Sequence, residues 1–193
     1  MPRLVPTLLL AVLSTATSAA GTSDAAWQAL AGMQFSAARP AFQTALNDAP
    51  DSPQNQFGLA LCLWARQPSR GPDHDQAIAL LTKIAGQTEE PRLATAARFT
   101  LGRAYWLGGQ ETKAAEIFTD MAANFDSLWH EEAAVALVQM AVASGEAKTM
   151  RDLVGRAEDW GGLFKHPVAA LGYHLAMSEI YLSALADRHR GAA

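Results

Sequence analysis

Two short segments of the 193-residue chain combine residue types that often bind metals or move protons. His130-Glu131 matches the start of the His-Glu-x-x-His zinc motif, but Ala134 stands where the second histidine would bind the metal. The segment Asp73-His74-Asp75 offers oxygen and imidazole ligands. A turn in which Asp73 or Asp75 caps the following helix explains it more simply, because aspartate is a common N-cap. Neither segment predicts a metal site.

The sequence also lacks three motifs that mark other catalytic or phosphate-binding sites. It contains no Gly-x-Ser-x-Gly nucleophile elbow, no Ser-x-x-Lys and no glycine-rich loop ending in Gly-Lys-Ser/Thr. The five histidines are scattered without ligand spacing, at positions 74, 130, 166, 174 and 189. We therefore predict no catalytic residue, no metal and no cofactor, and a protein that is not an enzyme. The competing hypothesis is a helical-solenoid cell-wall hydrolase that uses a lone Glu131 or Glu132.

Cysteine usage is limited to one residue, Cys62. One cysteine cannot form an internal disulfide, a Cys-x-x-Cys redox pair or a cysteine zinc cluster. Its apolar surroundings, Gly-Leu-Ala-Leu-Cys-Leu-Trp, predict a small buried side chain.

The first 20 residues follow the pattern of a secretory signal peptide, with a basic start, an apolar stretch and small residues in that order. Arg3 precedes an apolar stretch from Leu4 to Leu13, and small residues lead to Ala20. The apolar stretch is about half of the ~20 residues that a membrane-spanning helix needs. We predict cleavage after Ala20 and a periplasmic protein without stable membrane insertion, with secretion as the alternative.

Composition favours an all-α protein that does not bind nucleic acid. Apolar residues make up 50% of the chain and charged residues 18%, and alanine, the best helix former, occurs throughout. The formal net charge is −4, and no run of Lys and Arg offers the basic surface that phosphates need. Helical periodicity and breakers together predict nine helices, at about residues 24–32, 36–48, 53–66, 75–86, 91–109, 111–125, 127–145, 147–162 and 167–188.

An internal repeat relates two of these segments. Phe57, Leu59, Leu63 and Trp64 align with Phe99, Leu101, Tyr105 and Trp106 at a constant offset of 42 residues. A fixed period of this length is typical of repeat proteins built from helical pairs.

The second copy resembles the tetratricopeptide repeat family. Its signature residues stand at the right separations in this chain, namely Leu101, Gly102, Tyr105, Gly109, Ala114 and Phe118. The segment around Ala38, Phe42, Ala45 and Pro50 is similar to the second half of such a unit. The resemblance implies a right-handed α-solenoid over residues 24–188, with units at about 24–50, 53–86, 92–126 and 129–160 and a C-terminal capping helix at 167–188.

A second apolar stripe runs along the first helix of each expected unit. In the family these positions face a concave groove that holds peptides or helices, so the resemblance implies a groove for a protein or peptide partner. The residues of this predicted groove are Phe57, Leu61, Trp64, Phe99, Arg103, Trp106, Leu137 and Met140. Two alternatives stay open: the stripe is ordinary buried core, or it pairs with a second copy of the chain. The function predicted from the sequence is an exported scaffold or adaptor of the bacterial cell envelope.

Overall fold

The computed structural model describes residues 22–65, 71–86, 89–124 and 129–145, together with residues 174, 175 and 178. The predicted signal peptide, the predicted helix 147–162 and nearly all of the predicted cap 167–188 lie outside these residues. All regular structure in the described part is helical, which confirms the all-α class. Seven helices lie wholly within the described residues: α1 (Thr22–Ala31), α2 (Phe35–Asp48), α3 (Pro53–Trp64), α4 (Pro72–Ala85), α5 (Pro91–Leu107), α6 (Glu111–Ala123) and α7 (His130–Ser144). They belong to two compact units that divide after Gln110.

Proline sets the start of three helices. Pro53, Pro72 and Pro91 each occupy the first turn of a helix, where the missing N–H has no intrahelical partner to lose. Ser52 caps α3, because its hydroxyl oxygen accepts a hydrogen bond from the backbone N–H of Asn55. Helix α7 ends at Ser144 and is followed by Gly145, whose φ of 67° favours glycine.

The predicted start and the predicted caps of α4 were wrong. Helix α4 begins at Pro72 rather than at residue 75, and Gly71 is its N-cap, so neither Asp73 nor Asp75 caps it. Pro40 lies beyond the first turn of α2, because that helix begins at Phe35. The proline ring therefore removes a hydrogen bond inside the helix, one that Ser36 would otherwise accept.

The first unit is built from helices that pack in chain order, each of α1 to α4 against the next. Lys83, near the end of α4, lies 3.6 Å from Asp51, just before α3. His74, near the start of α4, lies against Gly108 at the end of α5. Helix α4 is thus antiparallel to both neighbours, and α3 and α5 run in the same direction.

Polar contacts hold the starts of the parallel helices side by side. Ser23 at the start of α1 donates a hydrogen bond of 2.8 Å to the side-chain oxygen of Asn55 in α3. Gln54 in α3 donates a hydrogen bond to Glu90, the N-cap of α5. Weaker packing of α1 on α3 and of α3 on α5 accompanies these bonds.

Helices α2 and α3 contact each other closely at Gly58. A Cβ atom added to Gly58 would lie 2.2 Å from the ring of Phe42, so only glycine leaves room for that ring. The ring is fully buried and packs edge-on against Trp27 at a centroid distance of 5.0 Å. Helix α3 is buried on every side from Asn55 to Leu63.

In the second unit, α6 packs on α7. Ala114, Phe118 and Met121 form the buried face of α6. Their spacing of four and three residues places them on one side of a helix. On α7 the buried stretch runs without interruption from Ala133 to Val138.

Candidate functional site

The predicted groove residues of the first unit lie on α3 and α5, the two parallel helices that contact each other. Phe57 is fully buried, and Leu61 and Phe99 are 5% and 6% exposed. These three side chains therefore pack within the first unit and offer almost no surface to a partner.

Three groove residues keep part of their surface accessible. Trp64, Arg103 and Trp106 are half-buried, and we call them the Trp-Arg face. Counted at 1.5 Å per residue from the Gln54–Glu90 contact, Trp64 lies about 15 Å along α3 and Arg103 about 20 Å along α5. By this count the positions of Trp64 and Arg103 along their helices differ by about one helical turn.

Arg103 packs on an aromatic ring. Its guanidinium carbon lies 5.1 Å from the centroid of Trp106, within the range of a cation–π interaction. Burial lowers the pKa of Arg103 from its usual value, because the charged form loses water there. An arginine remains protonated under such conditions, so the positive charge is retained.

The indole N–H of Trp64 makes no hydrogen bond within the described residues. Its Nε1 atom is buried and has no hydrogen-bond acceptor within the described part of the chain. Buried indole N–H groups usually have an acceptor, because an unmade hydrogen bond costs free energy. The Trp-Arg face therefore offers aromatic surface, while the indole N–H of Trp64 is buried and is not part of that surface.

The other two predicted groove residues lie in the second unit, on α7. Leu137 is buried and Met140 is half-buried. That they continue the groove of the first unit stays a prediction.

The Asp73-His74-Asp75 segment has a packing role that the sequence did not indicate. Asp73 forms a two-point ion pair with Arg39 of α2, at 2.8 and 3.0 Å. His74 is 5% exposed, and both of its ring nitrogens are buried without hydrogen-bond partners in the described residues. The described part of the chain holds no group of three or more His, Cys, Asp and Glu side chains placed to bind a metal ion.

Cys62 is buried, as its apolar surroundings predicted. Burial raises the pKa of the thiol to about 12, and the charge of Arg39 opposes this shift more weakly. A thiol of such a pKa stays protonated at neutral pH, so it is a poor nucleophile.

Of the two carboxylates considered for a hydrolase, Glu131 is 6% exposed and Glu132 is half-buried. A catalytic acid must reach its substrate to within hydrogen-bond distance. Its burial makes Glu131 a poor candidate for that role.

None of the described helices is both long and apolar enough to span a bilayer. Comparison of the chain with protein-family models, with curated proteins and with solved structures finds no match.

Proposed function

We propose that this protein is an exported, tetratricopeptide-like solenoid that acts as a scaffold or adaptor in the bacterial cell envelope. It binds a segment of a partner protein on the Trp-Arg face. The observation that carries this proposal is the pair of half-buried tryptophans, Trp64 and Trp106, at equivalent positions of two parallel helices.

The packing of the first unit supports a repeat architecture. Neighbouring helices around α4 are antiparallel, and α3 and α5 are parallel, as in stacked helical hairpins. Stacking of this kind buries the apolar faces that one hairpin alone would leave exposed. The signature residues Ala38 and Phe42 are fully buried, in keeping with their packing role in the family.

The chemistry of the Trp-Arg face supports binding rather than catalysis. Tryptophan and arginine are the residue types most often found as energetic anchors of protein interfaces. The ring of Trp106 and the guanidinium of Arg103 are held against each other before a partner arrives, which lowers the entropy lost on binding.

Site-specific photocrosslinking in the native host tests the proposal. A benzophenone amino acid replaces Trp106 in one strain and Thr82 in another, since Thr82 is exposed on α4. We expect a protein adduct from position 106 and none of the same mass from position 82. No adduct at position 106, or the same adduct from both positions, contradicts the proposed function.

Light scattering of the mature protein over a hundredfold range of concentration distinguishes an adaptor from a self-associating module. An adaptor of the proposed kind stays monomeric. A dimer that forms with rising concentration and disappears in the Trp64→Ala plus Trp106→Ala variant assigns the Trp-Arg face to a second copy instead.

A further inference from the structure

Helix α5 ends in a Schellman turn with glycine at the position that this motif favours. The backbone N–H groups of Gly109 and Gln110 donate hydrogen bonds to the carbonyls of Trp106 and Tyr105, at 3.0 and 2.8 Å. In this motif the first residue beyond the cap takes a left-handed backbone conformation, and here that residue is Gly109, with a φ of 78°. Glycine adopts a positive φ without steric cost, so this turn is relaxed.

Helix α1 ends in the same turn, but with methionine at that position. The N–H groups of Met33 and Gln34 donate hydrogen bonds to the carbonyls of Leu30 and Ala29, at 2.9 and 2.8 Å. Met33 has a φ of 59°, and among the described residues no other side-chain-bearing residue has a positive φ. The glycine of this turn, Gly32, stands one residue before the position that needs it. A Cβ atom in the left-handed region crowds the backbone, so the α1 turn is strained and the α5 turn is not.

Helix α1 carries a second cost that exists only while it is docked. Trp27 is 5% exposed, and its indole Nε1 is buried without a hydrogen-bond acceptor among the described residues. A buried N–H without an acceptor raises the free energy of the docked state, and it regains water when α1 moves away. Release also frees Met33 from the left-handed conformation. Both costs therefore favour an open state of α1.

Apolar packing and a side-chain hydrogen bond oppose these costs. Leu30 is fully buried, and the ring of Trp27 packs edge-on against Phe42 of α2. Ser23 donates its hydrogen bond to Asn55 of α3. The ring of Phe42 also packs on α3, so the contact between α2 and α3 remains when α1 leaves.

We propose that α1 is a releasable cover of the first unit. It opens from α2 and α3 while these helices stay folded, and the strained turn at Met33 sets how often it opens. Opening exposes part of the ring of Phe42 and the side-chain amide of Asn55, which are both buried in the docked state. The cover is separate from the Trp-Arg face, because Asn55 lies near the start of α3 and Trp64 lies at its end.

Native-state hydrogen exchange of the full mature protein tests this proposal. Exchange is followed by mass spectrometry at urea concentrations below the unfolding transition, in peptides that cover α1 with its turn and in peptides that cover α3. A local opening exposes little surface, so its frequency depends weakly on urea, whereas global unfolding depends on urea strongly. We expect faster exchange with weak urea dependence for α1, and slower exchange with strong urea dependence for α3.

Two substitutions at residue 33 test the role of the turn. Met33→Gly removes the strain, and Met33→Ala keeps a Cβ atom in the left-handed region, so the two variants differ by one carbon atom. We expect α1 to exchange about fivefold more slowly in the Met33→Gly protein than in the Met33→Ala protein. Circular dichroism and thermal unfolding check that both variants are folded.

Either of two results contradicts the proposal. The same urea dependence and the same free energy of exchange in α1 and α3 would show that α1 opens only when the whole unit unfolds. Equal exchange of α1 in the Met33→Gly and Met33→Ala proteins would show that the turn does not control release.

Discussion

Helices α3 and α5 are two copies of one sequence pattern, and they differ in residues that contact other parts of the protein. Phe57 and Phe99 are both buried, as are Leu59 and Leu101. The copies differ at five of the eight positions from 57 to 64, among them Gly58 against Thr100, Leu61 against Arg103 and Cys62 against Ala104. The repeated residues set how each helix packs on its neighbours, and the differing ones adapt each copy to its own place.

The first difference is steric. Gly58 lies beneath the ring of Phe42, where a Cβ atom would overlap ring carbons. Thr100 is fully buried, and its hydroxyl donates a hydrogen bond of 2.8 Å to the carbonyl of Ala96 within α5. The same position of the repeat thus holds a glycine in close contact with another helix in α3, and a buried threonine side chain in α5.

Exchanging these residues gives the largest expected effect. We expect Gly58→Thr to lower the free energy of unfolding by about 3 kcal/mol or more, because the buried ring of Phe42 has no free space to move into. Thr100→Gly should cost about 1–2 kcal/mol, from lost packing and the low helix propensity of glycine. Urea unfolding followed by circular dichroism measures both.

A double-mutant cycle sharpens that result. In a Phe42→Ala background, Gly58→Ala should cost nothing or stabilise the helix slightly, because the overlapping ring is gone. A Gly58→Thr protein as stable as the wild type would show that α2 and α3 are not packed at this point.

The C-terminal end of α5 provides the next test. A Cβ atom at Gly108 would lie 2.7 Å from Nε2 of His74, so we expect Gly108→Ala to lower the free energy of unfolding by about 1–2 kcal/mol. The cost should largely disappear in a His74→Ala background. An unchanged cost in that background contradicts a direct contact and assigns the effect to the backbone at Gly108 alone.

The smallest expected effect on stability concerns Cys62, whose equivalent in the other copy of the repeat is Ala104. The thiol pKa rises from 9.0 to about 12 on burial, so the protonated thiol contributes its full stability below pH 9. That contribution is lost as the pH rises from 9 toward about 12, because the unfolded chain releases the proton first.

The Cys62→Ala variant should lack this part of the alkaline loss of stability, which pH-dependent urea unfolding measures. Native protein at pH 8 should also react with a thiol reagent only after denaturation. Rapid labelling of the native wild type would show that the thiol is accessible.

The sequence predicted the helices of the described residues and the 42-residue repeat because prolines, glycines and apolar spacing are local signals. It could not predict the contacts of Gly58 with Phe42 or of His74 with Gly108, since these depend on how separate helices pack against each other and leave no local pattern. The apolar stripe on α3 and α5 was visible as a pattern, yet Phe57 and Phe99 are buried while Trp64 and Trp106 keep accessible surface. Periodicity identifies a side of a helix and does not show what covers it.

The ion pair between Arg39 and Asp73 has a kinetic consequence. It joins side chains only 34 positions apart, and the helix packing of the first unit is likewise between consecutive or next-but-one helices. Chains with such short-range contacts close small loops as they fold, which makes folding fast. The first unit should therefore assemble stepwise from any adjacent helix pair, with the ion pair joining α2 to α4 once α3 has folded between them.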